Sequence, residues 1–422
     1  MKNTVSILGG AQTDFQRNWT KEGKTIFAMM REVVEDAMIS AQVDPTDIRR
    51  LEANRRIGIF VGNFDAQQYN NQGHLGAALT MIDSVFNGIP GARYEAACAS
   101  GSVAIDAARV KIKSGEIDLA LVVGIEMMKS VSPLQGGDYL GTASHYAAEA
   151  RGIEYPFPKL FGKLADQLIE QYHVSDRRLM SSLATISDLN YRNAKRNPNA
   201  QTRTWFMNRT HAQNRKTLFN PLIGGRLAIS DCSQITDGAA CIFLSSEQFA
   251  KTYRNKRNKR RSETPIIKSC GVTIAPFTFA EKMRQRRKSD HLLPWTVEAI
   301  DQAYKGSGLS IKQIDVIETH DCFTSSEYAC ISAFGITKTG REFEAVENGA
   351  IEFEGKYPIN PSGGLIGVGH PVGASGVRMM LDLWKQLAQR AGSYQLQKKV
   401  RNGLMLNIGG SATTNYAFII GT

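Results

Sequence analysis

Leu119-Ala120-Leu121-Val122-Val123-Gly124 is apolar throughout and closed by a glycine. A short run of this kind, with no polar alternation, reads as a strand buried on both faces. It follows a stretch from about Gly101 to Ser114 in which Ala104, Ala107, Ala108, Lys111 and Ile112 recur at helical spacing. One face of that helix is therefore small and packs closely. Upstream, Ile57-Gly58-Ile59-Phe60-Val61-Gly62 is a second buried strand. Short β-branched runs alternating with longer helical ones predict a layered α/β fold.

The pattern then occurs again. Gly403-Leu404-Met405-Leu406-Asn407-Ile408-Gly409-Gly410 echoes the Leu119 run, and Ile314-Asp315-Val316-Ile317-Glu318-Thr319 echoes the Ile57 run. Pro265-to-Val272 echoes the opening Thr4-to-Gly10 strand, and Asp237-to-Leu244 resembles Ala412-to-Ile419. This is a duplication with a long period, not a solenoid. It predicts two similar α/β halves, residues 1–250 and 265–422, joined by a basic connector, 251–264, that contains Lys251-to-Arg261 (KTYRNKRNKRR). A polar, Arg/Asn/His-rich region at about 127–226 interrupts the first half. Its amphipathic stretches Phe161-to-Tyr172 and Leu179-to-Ala194 mark it as an inserted loop domain.

Composition narrows the function classes. With 422 residues, 42% apolar and 22% charged, the chain is long enough for two or three domains and is not a disordered tail. The 51 Lys+Arg against 40 Asp+Glu leave +11, which suits a partner carrying phosphates. No aromatic-basic module surrounds the basic run, so nucleic acid is not the expected partner. The six cysteines, at 98, 232, 241, 270, 322 and 330, form no CxxC pair, which argues against a disulfide scaffold or a zinc site. Met1-to-Gly10 is too short and glycine-broken for a signal core, and no apolar stretch reaches the ~18 residues of a membrane span. A reducing cytoplasm is the expected location.

Four segments carry chemistry. Ala96-Ala97-Cys98-Ala99-Ser100-Gly101 sets a cysteine just before a helix, where N–H groups and the helix dipole favour a thiolate nucleophile. A buried small-residue turn is the plainer alternative. Gly367-Val368-Gly369-His370-Pro371-Val372-Gly373-Ala374-Ser375-Gly376 is not GxGxxG and follows no clear strand, which rejects a dinucleotide loop. It would hold His370 rigidly at a helix entry, as a base for a thiol requires. His320-Asp321-Cys322-Phe323 lies beyond the carboxyl end of the Ile314 strand, where α/β sheets bind ligands. His320 would donate to a developing oxyanion and Cys322 would act as acid or base. The alternatives are a metal pair, or a buried cysteine and a satisfied histidine. Asn407-Ile408-Gly409-Gly410-Ser411 ends a strand on glycines that expose N–H groups to an anion.

Taken together these segments resemble the thiolase superfamily along essentially the whole chain. AACASG looks like the nucleophile motif and NPSGGLIGVGHPVGASG like the Gly-His-Pro motif. Common thiolases carry Asn-Glu-Ala-Phe in the third segment and a second cysteine in a C-terminal Cys-x-Gly. This chain has His-Asp-Cys-Phe, and Asn407-Ile408-Gly409 at the Cys-x-Gly position, as in sterol-carrier-protein-type thiolases. The resemblance implies two layered halves (α/β/α/β/α) with an inserted loop domain, assembled as a homodimer or homotetramer. It implies coenzyme A as substrate, with no permanently bound cofactor, and reversible cleavage of 3-oxoacyl-CoA to acyl-CoA and acetyl-CoA. Cys98 would be acylated, His370 would take its proton, and Cys322 would handle the proton at the acetyl carbon. His320 with His370 would hold the enolate oxygen, and the N–H groups of Cys98 and Gly410 the other oxyanion. Basic loop-domain side chains would face the coenzyme's phosphates. Ser269 aligns with a pantetheine contact. A ketoacyl-synthase-like condensing enzyme and a non-catalytic CoA- or lipid-binding relative are the competing readings. The basic stretch Glu281-to-Lys288, like the connector, is an addition to the family frame.

Overall fold

Eleven strands organise the computed structural model, which describes residues 4–286 and 289–422. In chain order they are β1 (Val5–Gln12), β2 (Ile57–Gly62), β3 (Gly91–Tyr94), β4 (Leu119–Glu126), β5 (Leu222–Gly224), β6 (Leu227–Ala228), β7 (Gly238–Ser246), β8 (Ile266–Ile274), β9 (Val316–Glu318), β10 (Asn402–Gly409) and β11 (Thr414–Gly421). β5 and β6 form a small hairpin, and the other nine make one sheet in the order β3-β2-β4-β7-β1-β8-β11-β10-β9.

The sequence echoes occupy equivalent places in that sheet. β1–β7 and β7–β4 pair antiparallel and β4–β2 parallel. In the second half β8–β11 and β11–β10 pair antiparallel and β10–β9 parallel. β3 extends the first half alone. The halves meet where β1 pairs with β8 through Val5–Ile267 and Ser6–Ile266.

Both faces of the sheet are covered, as the unbroken apolar runs require. Along β4, Ala120 and Val122 point to a core shared with Ala104, Ile105, Ala108 and Ile112 of the helix Ser100–Lys113. Leu121 and Val123 point to the opposite core, with Met29, Met30, Val33 and Val34 of the helix Ile26–Ala41. The helix Val372–Leu387 packs against Ser100–Lys113 and runs over β4, β7 and β10. Between β4 and β7 the chain leaves the sheet through the helices Pro156–Tyr172 and Asp176–Ala194. Their Leu160, Leu164, Leu168, Leu183, Ile186 and Leu189 are buried in the main core, so this polar-looking region is anchored by an apolar face.

The basic run is partly helical. Lys251–Arg257 is the end of a helix, Glu247–Arg257, on the stretch that joins β7 to β8. Arg254 donates to Glu247 and to Thr264, and Arg257 reaches Asp47 at 2.7 Å and the Gln42 carbonyl at 2.6 Å. Asp47 and the Gln42 carbonyl, on other elements, thus hold Arg257, while Lys251, Lys256 and Arg260 stay exposed. Arg287 and Lys288, the end of the other basic stretch, lie outside the described residues.

The start of the helix Val372–Leu387 approaches β4 at main-chain distance. A Cβ on Gly124 would sit 2.7 Å from the Gly373 carbonyl and 2.8 Å from Ala374 Cα. Gly124→Ala is therefore expected to cost about 1–3 kcal/mol of stability in urea titrations, the usual range for overpacking. Gly73→Ala, whose new carbon meets nothing closer than 3.9 Å, is the control and should shift stability by less than about 0.5 kcal/mol.

Candidate active site

Cys98 stands on a strained turn. Ala97 before it has φ +51°, in the left-handed region that a residue with a Cβ rarely enters. Ser100 holds the turn in place: its Oγ accepts from the Ala96 N–H at 3.0 Å and donates to the Ala97 carbonyl at 2.6 Å. The helix Ser100–Lys113 begins immediately afterwards, as expected. The thiol is not the lowered one that a helix start suggested. Burial pushes Cys98 up to about 12, and the N–H groups of Gly410 and Cys98 itself, which favour the thiolate, only partly offset this. The helix start is still present, but loss of water outweighs it.

His370 precedes the helix Val372–Leu387, and its N–H donates to Thr236 Oγ1 at 2.9 Å. Its Nδ1 lies 2.7 Å from Ser375 Oγ, which donates in turn to the Pro371 carbonyl at 3.0 Å. Burial lowers the imidazole to about 3, so it is neutral at rest, and its Nε2 has no protein partner. His320, just beyond β9, meets it edge to face with ring centroids 5.2 Å apart. Burial, His370 and Arg378 depress His320 well below the usual histidine value. Ligand-type atoms of Cys98, His320 and His370 all lie within 4.8 Å of one another.

The loops that carry these groups are tied down by buried carboxylates. Asp321 accepts from the Leu365 and Ile366 N–H groups at 2.6 and 3.1 Å and from Asn190 at 3.0 Å. That joins the His-Asp-Cys-Phe segment to the glycine-rich loop before His370. Glu126, at the end of β4, accepts from Asn63, from the Phe64 and Asp65 N–H groups and from the Gly373 N–H. It fixes the start of the His370 helix to the strand ends of the first half.

Gly410 completes the far wall. Its φ is +63°, and a Cβ there would meet the Ala143 carbonyl at 2.8 Å, so glycine is required twice over. The next residues are held by Lys282, whose Nζ reaches Ser411 Oγ at 2.8 Å, Thr413 Oγ1 at 2.9 Å and the Phe277 carbonyl at 3.1 Å. Burial lowers that ammonium to about 8.

A cavity of about 260 Å³ opens on this centre and is lined by Cys98, Cys322, His370 and Gly410. The rest of its wall is largely apolar and includes Met128, Leu140, Phe157, Ile223, Ile235 and Phe323. Cys322 Sγ lies 4.0 Å from Ser326 Oγ, and burial holds its thiol well above the ordinary cysteine value. The structure thus brings Cys98, His320, Cys322, His370 and Gly410 to one place.

Ser269 is the exception. It lies in the middle of β8, is absent from the cavity wall, and spends its hydroxyl on the Ala303 carbonyl at 2.6 Å. Its small polar side chain satisfies a strand against the helix Pro294–Ser307. Sequence reasoning missed Ser375 and Lys282. Ser375 had a usable signal, a hydroxyl one helical turn into the helix that His370 introduces. Lys282 had none, because it sits in a stretch that reads as surface charge.

Comparison with known proteins identifies the family. The family described as "Thiolase, N-terminal domain" matches residues 5–205, and "Thiolase C-terminal domain-like" matches 279–422. An acetyl-CoA acetyltransferase of Methanocaldococcus jannaschii is 30% identical over 414 residues, 97% of either chain. Sterol carrier protein 2 of Oryctolagus cuniculus is 28% identical over 420 residues, 97% of this chain and 70% of that one. Among solved structures, an Ltp2-ChsH2(DUF35) aldolase superposes with TM-score 0.78 at 17% identity, covering 99% of this chain and 98% of that one. Human mitochondrial 3-ketoacyl-CoA thiolase in complex with CoA gives TM-score 0.69 at 17% identity over 100% and 98% of the two chains. With both halves matched and full-length relatives on either side, the chain belongs to the thiolase superfamily.

Proposed function

We propose that the protein is a CoA-dependent acyltransferase that cleaves 3-oxoacyl-CoA with CoA to give acyl-CoA and acetyl-CoA, or runs the reverse condensation. The observation that carries this reading is the convergence of Cys98, His320 and His370 beside a cavity that also exposes Cys322. The Cys98 proton passes to His370 Nε2 as sulfur attacks the C3 carbonyl. The resulting oxyanion is held by the N–H groups of Cys98 and Gly410. It collapses to a Cys98 thioester as the C2–C3 bond breaks, and the electron pair goes to the acetyl-CoA enolate. Cys322 delivers the proton to that carbon, while His320 and the protonated His370 hydrogen-bond the enolate oxygen. The CoA thiol then attacks the thioester and releases acyl-CoA and Cys98, and Cys322 regains its proton. Cys322 separates this reading from a ketoacyl-synthase-like enzyme, which would use the histidines without an acid/base cysteine. CoA enters as a substrate across the loop region, with no resident cofactor.

The edge strand β3 leaves Gly91 and Ala92 exposed, and an unpaired edge invites pairing with a second copy. A homodimer or homotetramer is the proposed assembly. Six free thiols suit a reducing cytoplasm, and among the described residues no helix is long and apolar enough to cross a membrane.

Two experiments test the chemistry. Cys322→Ala should still form the Cys98 acyl-enzyme from an acyl-CoA that needs no carbon–carbon cleavage, but lose about 10²-fold in thiolysis or condensation. Cys98→Ala should abolish both. Acyl-enzyme mass and turnover are measured side by side on a short and a long 3-oxoacyl-CoA. Wild-type turnover by Cys322→Ala would remove it from the mechanism. The second experiment follows alkylation of Cys98 by iodoacetamide against pH. A thiol held near 12 is almost wholly protonated at pH 7, so the rate should start slow and climb roughly tenfold per pH unit to pH 9. Fast, pH-independent labelling would instead mean a resting thiolate–imidazolium pair.

A further inference from the structure

Asn407 fills the position at which common thiolases place a second cysteine, and its amide reaches both catalytic segments. Its Nδ2 lies 3.1 Å from the Cys98 carbonyl and 3.0 Å from His320 Nδ1. Its Oδ1 accepts from Ser102 Oγ at 2.6 Å. Elementary chemistry decides which end of the amide is which. A main-chain carbonyl only accepts, so the atom facing Cys98 carries hydrogens, and the other end takes the Ser102 proton. An amide nitrogen has two hydrogens. One serves the Cys98 carbonyl, and the second points at His320 Nδ1, which must present its lone pair.

His320 is neutral, as its depressed basicity shows. With Nδ1 accepting, its one ring hydrogen sits on Nε2, a buried atom with no protein partner. His370 has the opposite arrangement. Ser375 gives its own hydrogen to the Pro371 carbonyl and so accepts at Oγ, which places hydrogen on His370 Nδ1 and leaves Nε2 bare. Two histidines 5.2 Å apart thus hold opposite tautomers, one a donor and one a base. The same arrangement disfavours a metal shared by Cys98, His320 and His370. A lone pair on His320 Nε2 would turn an Nδ1–H onto the Asn407 N–H, donor against donor.

We propose that Asn407 is a positioning residue that holds His320 in its Nε2–H tautomer, and so supplies an N–H donor to the oxygen that becomes negative during carbon–carbon cleavage. The second half of this statement rests on the thiolase reading above.

The tautomer is read directly from nitrogen-15 NMR of histidine-labelled protein at neutral pH, with His320→Gln used to assign the signal. The expected result is Nε2–H for His320 in the wild type. Asn407→Leu keeps the volume and removes the donor. It should mix the tautomers and lower kcat about 10²-fold, the scale for loss of one oxyanion donor, with KM changed by less than about twofold. Asn407→Asp offers only an acceptor and should draw the hydrogen to Nδ1. An Nδ1–H signal in the wild type, or wild-type kcat in both variants, would overturn the proposal. Should Asn407→Leu fail to fold, the wild-type spectrum and Asn407→Asp still decide it. Failure of the wild type to turn over any 3-oxoacyl-CoA would sink the thiolase reading and the oxyanion role with it. The spectrum would still report the tautomer independently.

Discussion

The N-termini of the helices Ser100–Lys113 and Val372–Leu387 meet at a distance that only main chain can occupy. A Cβ on Gly101 would lie 2.9 Å from the Gly373 carbonyl, one on Gly373 would lie 2.6 Å from Asn63 Cα, and one on Gly376 would lie 2.7 Å from the Ser102 nitrogen. These two helices hold equivalent places in the two halves, each feeding into the strand that echoes the other, β4 and β10. A duplicated unit folded back on itself therefore brings its two helix starts together. The residue two positions before each one, Cys98 in the first half and His370 in the second, faces the same cavity. Side chains at the glycine positions would part the helices and separate the sulfur from the imidazole.

That closeness buries the sulfur and the imidazoles, and the electrostatics follow. Both histidines are pushed down and the Cys98 and Cys322 thiols are pushed up, chiefly by burial. The resting centre is uncharged, because an unpaired charge in such surroundings is costly. In the proposed reaction, charge appears only when a substrate carbonyl is present to receive it, opposite N–H donors already in place. The carboxylates nearby do not spoil this neutrality, since Glu126 and Asp321 are each spent on main-chain and amide N–H groups. They act as fasteners for loops, while the cavity itself is left to sulfur, imidazole and backbone.

Much of this was legible in the sequence, for identifiable reasons. Strand echoes were readable because buried strands are long apolar runs, and duplication preserves their order. Cys98, His370 and Gly410 stood out as candidates because glycines and small residues crowd them, and His320 and Cys322 because they follow the carboxyl end of a strand. What could not be read depends on burial in three dimensions. Ser269 sits in a strand of the right half, yet its hydroxyl faces a helix and not the cavity. The basic run 251–261 looks like a linker in one dimension, while Asp47, far away in sequence, neutralises Arg257. The helix start beside Cys98 argued for a lowered thiol, and no local pattern reports how completely the fold dries it.

The same reasoning accounts for the sulfur to which the proposed reaction gives the acid/base role entering from the loop after β9. Position 407 on β10 touches the Cys98 carbonyl and His320 Nδ1 at once. A thiol there has one hydrogen and cannot serve both acceptors, whereas a primary amide has two. Once an imidazole occupies position 320, a donor behind its Nδ1 is needed to keep the Nε2 hydrogen turned inward. Imidazole at 320 and amide at 407 therefore form a unit, and that unit leaves no room on β10 for a titrating group. In the proposed reaction the proton-handling side chain therefore has to come from another part of the wall. Position 322 lies two residues past His320 on a segment already fixed through Asp321, so a sulfur placed there faces the cavity without further scaffolding.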